Sequence, residues 1–327
     1  MFYNVVMTSK YVKTILFASL ITAMILPFSA MEFAQAVTNE NANDKAKKTH
    51  EEMVKEGKIV LPGGHYVDKT TYKFVDENKS IEENGKNGID TSVLKEHDGK
   101  TIIDVDKALE KIAKDKKEKG DTSINYPADG YNTIALKEDI DSMSYFRAFW
   151  KVPISPTYYD GSDTIFTFNA MQPHASQAAI FQPVLQFGNN GPCTGIGSSW
   201  VFYPYVYVSP TVNTKGSCLA VQPGDILRGT ISKSGSIWTI STYNYRTGLS
   251  GSVQASYAGL ADWSLVDLET YGLATNCSSI PGDERFYSMT ITGDSSSWAD
   301  VSNPNLQWCG MDASIVSDST VDLLNNN

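Results

Sequence analysis

From about Tyr126 onward, the chain consists of short runs in which apolar and polar residues alternate, separated by Gly, Pro, Asn and Ser. Alternation with a period of two places the apolar side chains on one face of a strand and the polar ones on the other. Many short strands with turn residues between them are typical of two packed antiparallel sheets. We therefore predict an all-β domain, a β-sandwich, over residues 126–319, followed by a flexible tail over residues 320–327. The predicted strands span residues 144–152, 164–171, 179–187, 199–208, 225–232, 237–245, 252–257, 263–271, 285–292 and 306–312.

Two of these strands carry polar side chains on one face. In the run from Ala179 to Gly188, Gln182 and Gln186 share a face, while Phe181, Pro183, Leu185 and Phe187 lie on the other. In the later run, Asp267 and Glu269 are two residues apart and so also share a face. If both polar faces belong to one sheet, carboxamides face carboxylates across a groove.

A third strand is strongly aromatic. Tyr203, Tyr205 and Tyr207 share one face, and Trp200 lies on the opposite one. A row of tyrosines can form the floor of a groove for a peptide or a sugar, because each ring has an apolar body and a polar tip. The same row also stabilises a sheet through cross-strand pairs, so the pattern alone leaves both interpretations open.

The N-terminal part of the chain divides into two zones. Residues 1–36 contain two lysines, an apolar run and then Ala34-Gln35-Ala36, which is typical of a cleaved signal peptide. A retained membrane anchor is the alternative, but the apolar run is shorter than a spanning helix needs. Residues 37–125 are rich in Lys, Glu and Asp, with helical patterns over 43–56 and 104–119, and are interpreted as a charged propeptide or linker.

The four cysteines support export. An even number of cysteines without a CxxC spacing, in an exported chain, favours two disulfides. Sequence proximity suggests Cys193 with Cys218 and Cys277 with Cys309, although three pairings are possible. A zinc site is the competing interpretation, but no histidine lies near any of these cysteines. We predict a protein that is secreted or on the cell surface.

Composition narrows the possible functions. The net charge is −10 and the isoelectric point is near 4.9, which argues against nucleic acid because phosphate binding depends on clustered Lys and Arg. The predicted sandwich holds one histidine, His174, outside any serine-elbow motif, so a Ser-His-Asp triad is disfavoured. No metal-binding or phosphate-binding motif occurs. We therefore expect no cofactor or metal, no membrane contact of the mature form, and a monomer.

The remaining chemistry is that of amides and carboxylates. A carboxylate can act as general base on a water, and a carboxamide can donate a hydrogen bond to the oxyanion that forms at a peptide carbonyl. The order of features resembles the glutamic peptidases of the eqolisin family, a concanavalin-like β-sandwich. The stretches that carry the resemblance are Phe149–Pro153, Val184–Gly188, Trp200–Pro204, Gln222–Ile226 and Asp262–Glu269.

The resemblance implies roles for individual residues. It implies Gln186 as the catalytic glutamine, Glu269 as the catalytic glutamate, and Trp200, Tyr203, Tyr205 and Asp267 as substrate-binding residues. It also implies that the charged N-terminal zone corresponds to the family's propeptide. Neprosin-like glutamic peptidases, which pair two glutamates, resemble the chain less because Gln186 stands at the first position.

The chain departs from the family's pattern at two places. The family's catalytic Glu follows the strand Trp by three residues, a spacing that falls on Val266 rather than Glu269. Glu269 takes the role only if the strand is shifted or bulged, and Asp267 is the other carboxylate available. Val201 replaces the acidic residue of the family's substrate strand.

The sequence thus favours a secreted glutamic-type endopeptidase that acts on polypeptides. In this hypothesis, Glu269 takes a proton from water and Gln186 holds the oxyanion. The alternative is a non-catalytic concanavalin-like protein that binds a glycan or another surface ligand through Tyr203, Tyr205 or Tyr207. A third hypothesis is a structural cell-surface protein that keeps its N-terminus. In the non-catalytic interpretations, Gln186 and Glu269 are ordinary polar residues of a solvated sheet face.

Overall fold

The computed structural model describes residues 50–119, 131–173, 179–209, 211–272, 277–302 and 310–325. Most of the strands in these residues belong to two large sheets. We call them sheet I and sheet II. The predicted signal peptide, His174, Cys309 and most of the predicted strand over residues 306–312 lie outside the described residues. Of the predicted first helix, residues 50–55 are helical.

Sheet I has the strand order β10-β9-β8-β7-β15-β5-β17, with β11 pairing on β9. The pairings between its described strands are antiparallel. Its strands are β5 (Tyr131–Met143), β7 (Thr164–Gln172), β8 (Ile180–Phe187), β9 (Trp200–Ser209), β10 (Val212–Lys215), β11 (Leu219–Val221), β15 (Ala261–Tyr271) and β17 (Ala299–Asp300).

Sheet II has the strand order β18-β19-β16-β6-β12-β13-β14-β4-β3. Its pairings are antiparallel except for the parallel pairing of β4 with β14. Its strands are β3 (Leu94–His97), β4 (Lys100–Asp104), β6 (Tyr145–Lys151), β12 (Ile226–Ser234), β13 (Ile237–Asn244), β14 (Ser250–Ser256), β16 (Glu284–Thr292), β18 (Met311–Ser317) and β19 (Thr320–Asn325).

The predicted all-β antiparallel sandwich is confirmed, and nine of the predicted strands recur with bounds shifted by at most two residues. Two differences stand out. The sequence pattern missed β5, which pairs along almost the whole length of β15. The expected flexible tail is also wrong for Thr320–Asn325, because β19 pairs with both β16 and β18 and buries Val321 and Leu323 completely.

The main core lies between the two sheets. Its largest side chains are aromatic: Trp150 packs edge-on to Phe202 at 5.3 Å between ring centroids, and Phe181 packs on Trp238 at 5.0 Å. A second apolar cluster lies on the opposite face of sheet I, which we call the outer face. The outer face carries the polar side chains of β8 and β15.

Residues 50–119 of the charged N-terminal zone are folded and contact two different parts of the molecule. Its first strands, β1 (Lys58–Leu61) and β2 (His65–Asp68), form a separate antiparallel hairpin that packs on the outer face. Beyond Val75 the zone joins the main core and sheet II instead, through β3 and β4. Two helices flank these strands, α1 (Ile81–Lys86) and α2 (Val105–Lys119), and the second matches the predicted helix.

Capping explains where α1 begins. Ser80 accepts a hydrogen bond from the backbone N–H of Glu83, and the Glu83 carboxylate accepts one from the backbone N–H of Ser80. This reciprocal arrangement satisfies two N–H groups that a helix start would otherwise leave free.

Cys193 and Cys218 form a disulfide, which is the pairing that sequence proximity suggests. The second suggested pair includes Cys309 and stays a prediction. Within the described ranges, no helix is long and apolar enough to cross a membrane.

Candidate active site

Strand register brings Gln186 and Glu269 into one row on the outer face. Gln186 of β8 pairs with Phe166 of β7, and Phe166 pairs with Glu269 of β15. One strand therefore separates the two residues, which puts their Cα atoms about 10 Å apart at the usual strand spacing. The proposed groove between amide and carboxylate is thus a row across three strands, with the Phe166 ring in its middle.

Glu269 is buried, with 3% of its surface exposed, and it accepts hydrogen bonds from two elements. The backbone N–H of Gly63 lies 2.8 Å and 3.0 Å from the two carboxylate oxygens. The Tyr271 hydroxyl donates to the same carboxylate at 3.2 Å. Burial raises the pKa of Glu269 to about 7, and these donors oppose the rise because they stabilise the ionised form.

Asp267 lies two residues along the same strand on the same face and is 4% exposed. Burial, together with the neighbouring charge of Glu269, raises the pKa of Asp267 well above its usual value. Its Oδ1 has no hydrogen-bond partner in the part of the chain that the structure describes. Burial therefore favours the protonated form of both carboxyl groups, and the neighbouring charge of Glu269 adds to this effect at Asp267.

The Gln186 carboxamide is fully engaged by its own turn. Its Nε2 donates to the carbonyl oxygens of Gly188 at 2.8 Å and Cys193 at 2.7 Å. Its Oε1 accepts from the Cys193 N–H at 3.1 Å and from the Tyr203 hydroxyl at 3.0 Å. Gly191 packs so closely that an added Cβ would lie 2.6 Å from the amide carbon. In this conformation, neither N–H of Gln186 is free to hold an oxyanion.

The predicted substrate-binding residues divide between the two faces of sheet I. Tyr203 and Tyr205 lie on the outer face beside Gln186 and are fully buried. Trp200, predicted to bind substrate, does not lie on this face, because its side chain is in the core between the sheets. Its indole N–H donates to the Ser155 hydroxyl at 3.0 Å, and its ring packs on Phe187 at 5.1 Å. Alternation along β9 causes this, since Trp200 and Tyr203 are three residues apart.

Residues 50–73, which we call the covering segment, lie on the outer face. The hairpin buries Ile59, Val60 and Leu61 in the same apolar cluster as Phe166 and Tyr203. Further contacts run across the face: the Val60 N–H donates to the Asn190 carbonyl at 2.7 Å, His65 stacks on Tyr207 at 5.1 Å, and the Tyr72 and Tyr205 hydroxyls lie 3.1 Å apart.

The tip of the hairpin explains how a main-chain amide reaches Glu269. Gly63 and Gly64 have φ angles of 89° and 77°, a region that suits glycine, and the Gly64 N–H closes the turn on the Leu61 carbonyl at 2.9 Å. The Pro62-Gly63-Gly64 sequence is a turn signal that could have located this tip. Nothing in it indicates that the tip docks on a carboxylate some 200 positions away.

His50 fixes the start of the covering segment. It is completely buried, and its Nε2 donates to the Ser162 carbonyl at 2.9 Å while its Nδ1 lies 2.7 Å from the Tyr66 hydroxyl. Because a carbonyl only accepts, Nε2 carries a proton. The ring stacks at 6.3 Å on Tyr271, which itself contacts Glu269. Sequence reasoning missed His50, Gly63 and Tyr271.

No group of His, Cys, Asp and Glu side chains in the described ranges is arranged to hold a metal ion.

Comparison with known proteins gives similar structures but no similar sequences. The chain is similar to scytalidoglutamic peptidase with a peptide-based transition-state analogue, at 16% identity and a TM-score of 0.43, over 60% of this chain and 98% of that one. It is also similar to SCP-B, a member of the eqolisin family, in complex with the tripeptide Ala-Ile-His, at 14% identity and a TM-score of 0.41, over the same shares.

A lectin is similar as well. CG-16, a homodimeric agglutinin from chicken liver, matches at 11% identity and a TM-score of 0.28, over 49% of this chain and 99% of that one. No protein-family model matches the chain, and no curated protein matches it.

Proposed function

We propose that the outer face of sheet I is the substrate cleft of a secreted peptide hydrolase and that the covering segment closes it. One observation carries this proposal: a main-chain N–H, that of Gly63, lies against the buried Glu269 carboxylate. A face that binds one stretch of polypeptide next to a carboxylate has the polarity and the apolar lining that a peptide substrate needs.

Asp267 and Glu269 supply the acid and the base. Two carboxyl groups whose environments separate their pKa values can act in opposite roles, one as acceptor and one as donor of a proton. In the proposed mechanism, ionised Glu269 takes a proton from a water molecule while the water oxygen attacks the scissile carbonyl carbon. Protonated Asp267 donates a hydrogen bond to the oxyanion, and the proton on Glu269 then passes to the leaving amine.

Gln186 is the other candidate for the oxyanion donor. It lies in the row of Glu269, but it would first have to release the carbonyl of Gly188 or Cys193. Asp267 needs no such rearrangement, because its Oδ1 is without a partner within the described ranges. We therefore assign the donor to Asp267 in the conformation observed and keep Gln186 for a rearranged open form.

The test opens the cleft in the full chain. A recognition sequence for a specific protease is inserted after Lys73, which is exposed, and before Phe74. The purified protein is cut at this sequence so that the covering segment can dissociate. Degradation of a reduced, alkylated protein is then measured from pH 3 to 7. We expect activity only after the cut.

Substitutions identify the carboxyl group. In the cut protein, Glu269→Gln should lower the rate by about 100-fold or more, the usual range for loss of a general base. Glu96→Gln is the matched control, since Glu96 is exposed on β3 of the other sheet. Equal rates for wild type and Glu269→Gln would remove the peptidase assignment.

Glycan binding is the second candidate, and the tyrosine row favours it. Removing the covering segment would expose the rings of Tyr205 and Tyr207, which now contact Tyr72 and His65. In this case the cut protein binds a glycan array, Tyr205→Ala abolishes binding, and Glu269→Gln leaves it unchanged. Protein degradation that depends on Glu269 would argue against this candidate.

A further inference from the structure

Gln182 is a side chain on the outer face whose polar groups have no hydrogen-bond partner within the described residues. It is completely buried, yet neither its Oε1 nor its Nε2 has a hydrogen-bond partner in the part of the chain that the structure describes. Gln186, four residues along the same strand and on the same face, makes four hydrogen bonds. Of the two glutamines of β8, Gln186 is therefore fully hydrogen-bonded, whereas the carboxamide of Gln182 makes no hydrogen bond within the described residues.

The position of Gln182 places it within the cleft. Its cross-strand partner on β9 is Tyr205, whose hydroxyl contacts Tyr72 of the covering segment. On the other side, continuing the register of β7 and β8 sets Gln182 beside Ala170, which has a small side chain and lies in the outer-face cluster. The covering segment thus reaches the neighbour of Gln182 but gives the carboxamide no hydrogen bond.

A buried carboxamide without partners is unfavourable, because the group has lost water and gained nothing in exchange. An apolar side chain of the same length would fill this place without that cost, so packing alone does not explain a glutamine here. A carboxamide offers an acceptor and two donors in one plane, which match the N–H and C=O of a peptide unit.

We propose that Gln182 binds the main chain of the substrate peptide once the covering segment has left. The inference rests on the proposed function, because it takes the outer face as the peptide cleft. Gln182 lies two residues along β8, about 7 Å, from the position level with Asp267, and β8 is two strands across from the strand of Asp267, about 10 Å. At this diagonal distance of about 12 Å, Gln182 contacts the peptide about three residues from the bond that the carboxyl pair attacks.

This geometry predicts a dependence on peptide length. In the cut protein, Gln182→Met should lower kcat/KM by about tenfold for peptides that extend at least three residues on both sides of the scissile bond. It should change kcat/KM less than twofold for peptides that end one residue from that bond. Gln254→Met on β14 of sheet II is the matched control and should leave both values unchanged.

Two measurements do not depend on hydrolysis. The first is binding of fluorescein-labelled oxidised insulin B chain to the cut protein carrying Glu269→Gln, by fluorescence anisotropy; adding Gln182→Met should weaken it about tenfold. The second is the thermal midpoint of the uncut full chain, which Gln182→Met should leave unchanged or raise. Gln186→Met should lower the midpoint, because four hydrogen bonds are lost.

The outcomes separate this inference from the proposed function. Binding of the B chain that requires Gln182, without any hydrolysis by the cut wild type, supports the inference and removes only the peptidase assignment. Unchanged binding by Gln182→Met overturns the inference, as does an absence of binding by the cut wild type. A midpoint lowered as much as by Gln186→Met also overturns it, because Gln182 would then be a structural residue; Gln182→Leu repeats the measurement with a second apolar side chain.

Discussion

Glu284 ties the stability of the sandwich to pH. It is 2% exposed, its Oε2 accepts a hydrogen bond from the Thr167 hydroxyl at 2.7 Å, and its Oε1 has no partner within the described ranges. Burial raises the pKa of Glu284 to about 8 from an ordinary value of 4.5, with the Thr167 hydrogen bond opposing the rise. The folded protein therefore keeps this carboxyl protonated at pH 7, where the unfolded chain ionises it.

The sign and size of the effect follow from linkage. A carboxyl with a raised folded-state pKa contributes full stability below pH 4.5 and loses it as the pH rises toward 8. At pH 7 the loss is 2.5 pKa units, about 3 kcal/mol, and at pH 5 it is about 0.7 kcal/mol. Glu284→Gln cannot ionise and keeps the acceptor for Thr167. We therefore expect it to raise the free energy of unfolding by about 3 kcal/mol at pH 7 but by less than about 1 kcal/mol at pH 5.

Urea unfolding at the two pH values measures this difference. With a slope of about 3 kcal/mol per M, the midpoint of Glu284→Gln at pH 7 should lie about 1 M above that of the wild type. Glu96→Gln, at an exposed position, should match the wild type at both pH values. An equal gain for Glu284→Gln at pH 5 and pH 7 would refute the reasoning, since it would mean that proton uptake by Glu284 is not coupled to folding.

Two further predictions concern the turn that engages Gln186. Gly188→Ala should lower the free energy of unfolding by more than about 2 kcal/mol, because Gly188 has a φ of 89° and an added Cβ would lie 2.2 Å from the Asp163 carbonyl oxygen. Gly195→Ala shares the positive φ without the close neighbour and should lower the free energy of unfolding by only about 1 kcal/mol; urea unfolding measures both variants. Replacing Cys193 and Cys218 together by Ser should cost about 2–4 kcal/mol in urea unfolding, since their disulfide closes a loop with a sequence separation of 25. No loss against the oxidised wild type would contradict the prediction.

The sequence pattern predicted the strands that have an apolar and a polar face. The alternation in β8 and β15 predicted Gln186 and Glu269 on the polar faces of their strands, and the register shows that both faces belong to the outer face of one sheet. The pattern missed β5, whose inward face includes the buried Lys137, held by Asp294 and Asp318. A lysine in a strand predicts an exposed edge, and only the tertiary contacts provide its two counter-charges.

The candidate site was less predictable than the fold. Whether the Gln186 amide is free to donate depends on the turn that follows it. This turn brings the Cys193 carbonyl oxygen within hydrogen-bond distance of the Gln186 Nε2. The approach of Gly63 to Glu269 joins two parts of the chain that have no common sequence signal. Long-range contacts of this kind depend on packing and not on periodicity, so the sequence identified the residue types of the site but not their hydrogen-bond partners.

The parallel pairing of β4 with β14 limits how much of the N-terminal zone can be removed without exposing a strand edge. Ile103 and Asp104 lie beside Ala255 and Ser256, so β3 and β4 cover what would otherwise be an open edge of sheet II. An unpaired edge strand is a template for aggregation. We therefore expect removal of the chain before Val75 to be tolerated, and removal of β3 and β4 to promote aggregation.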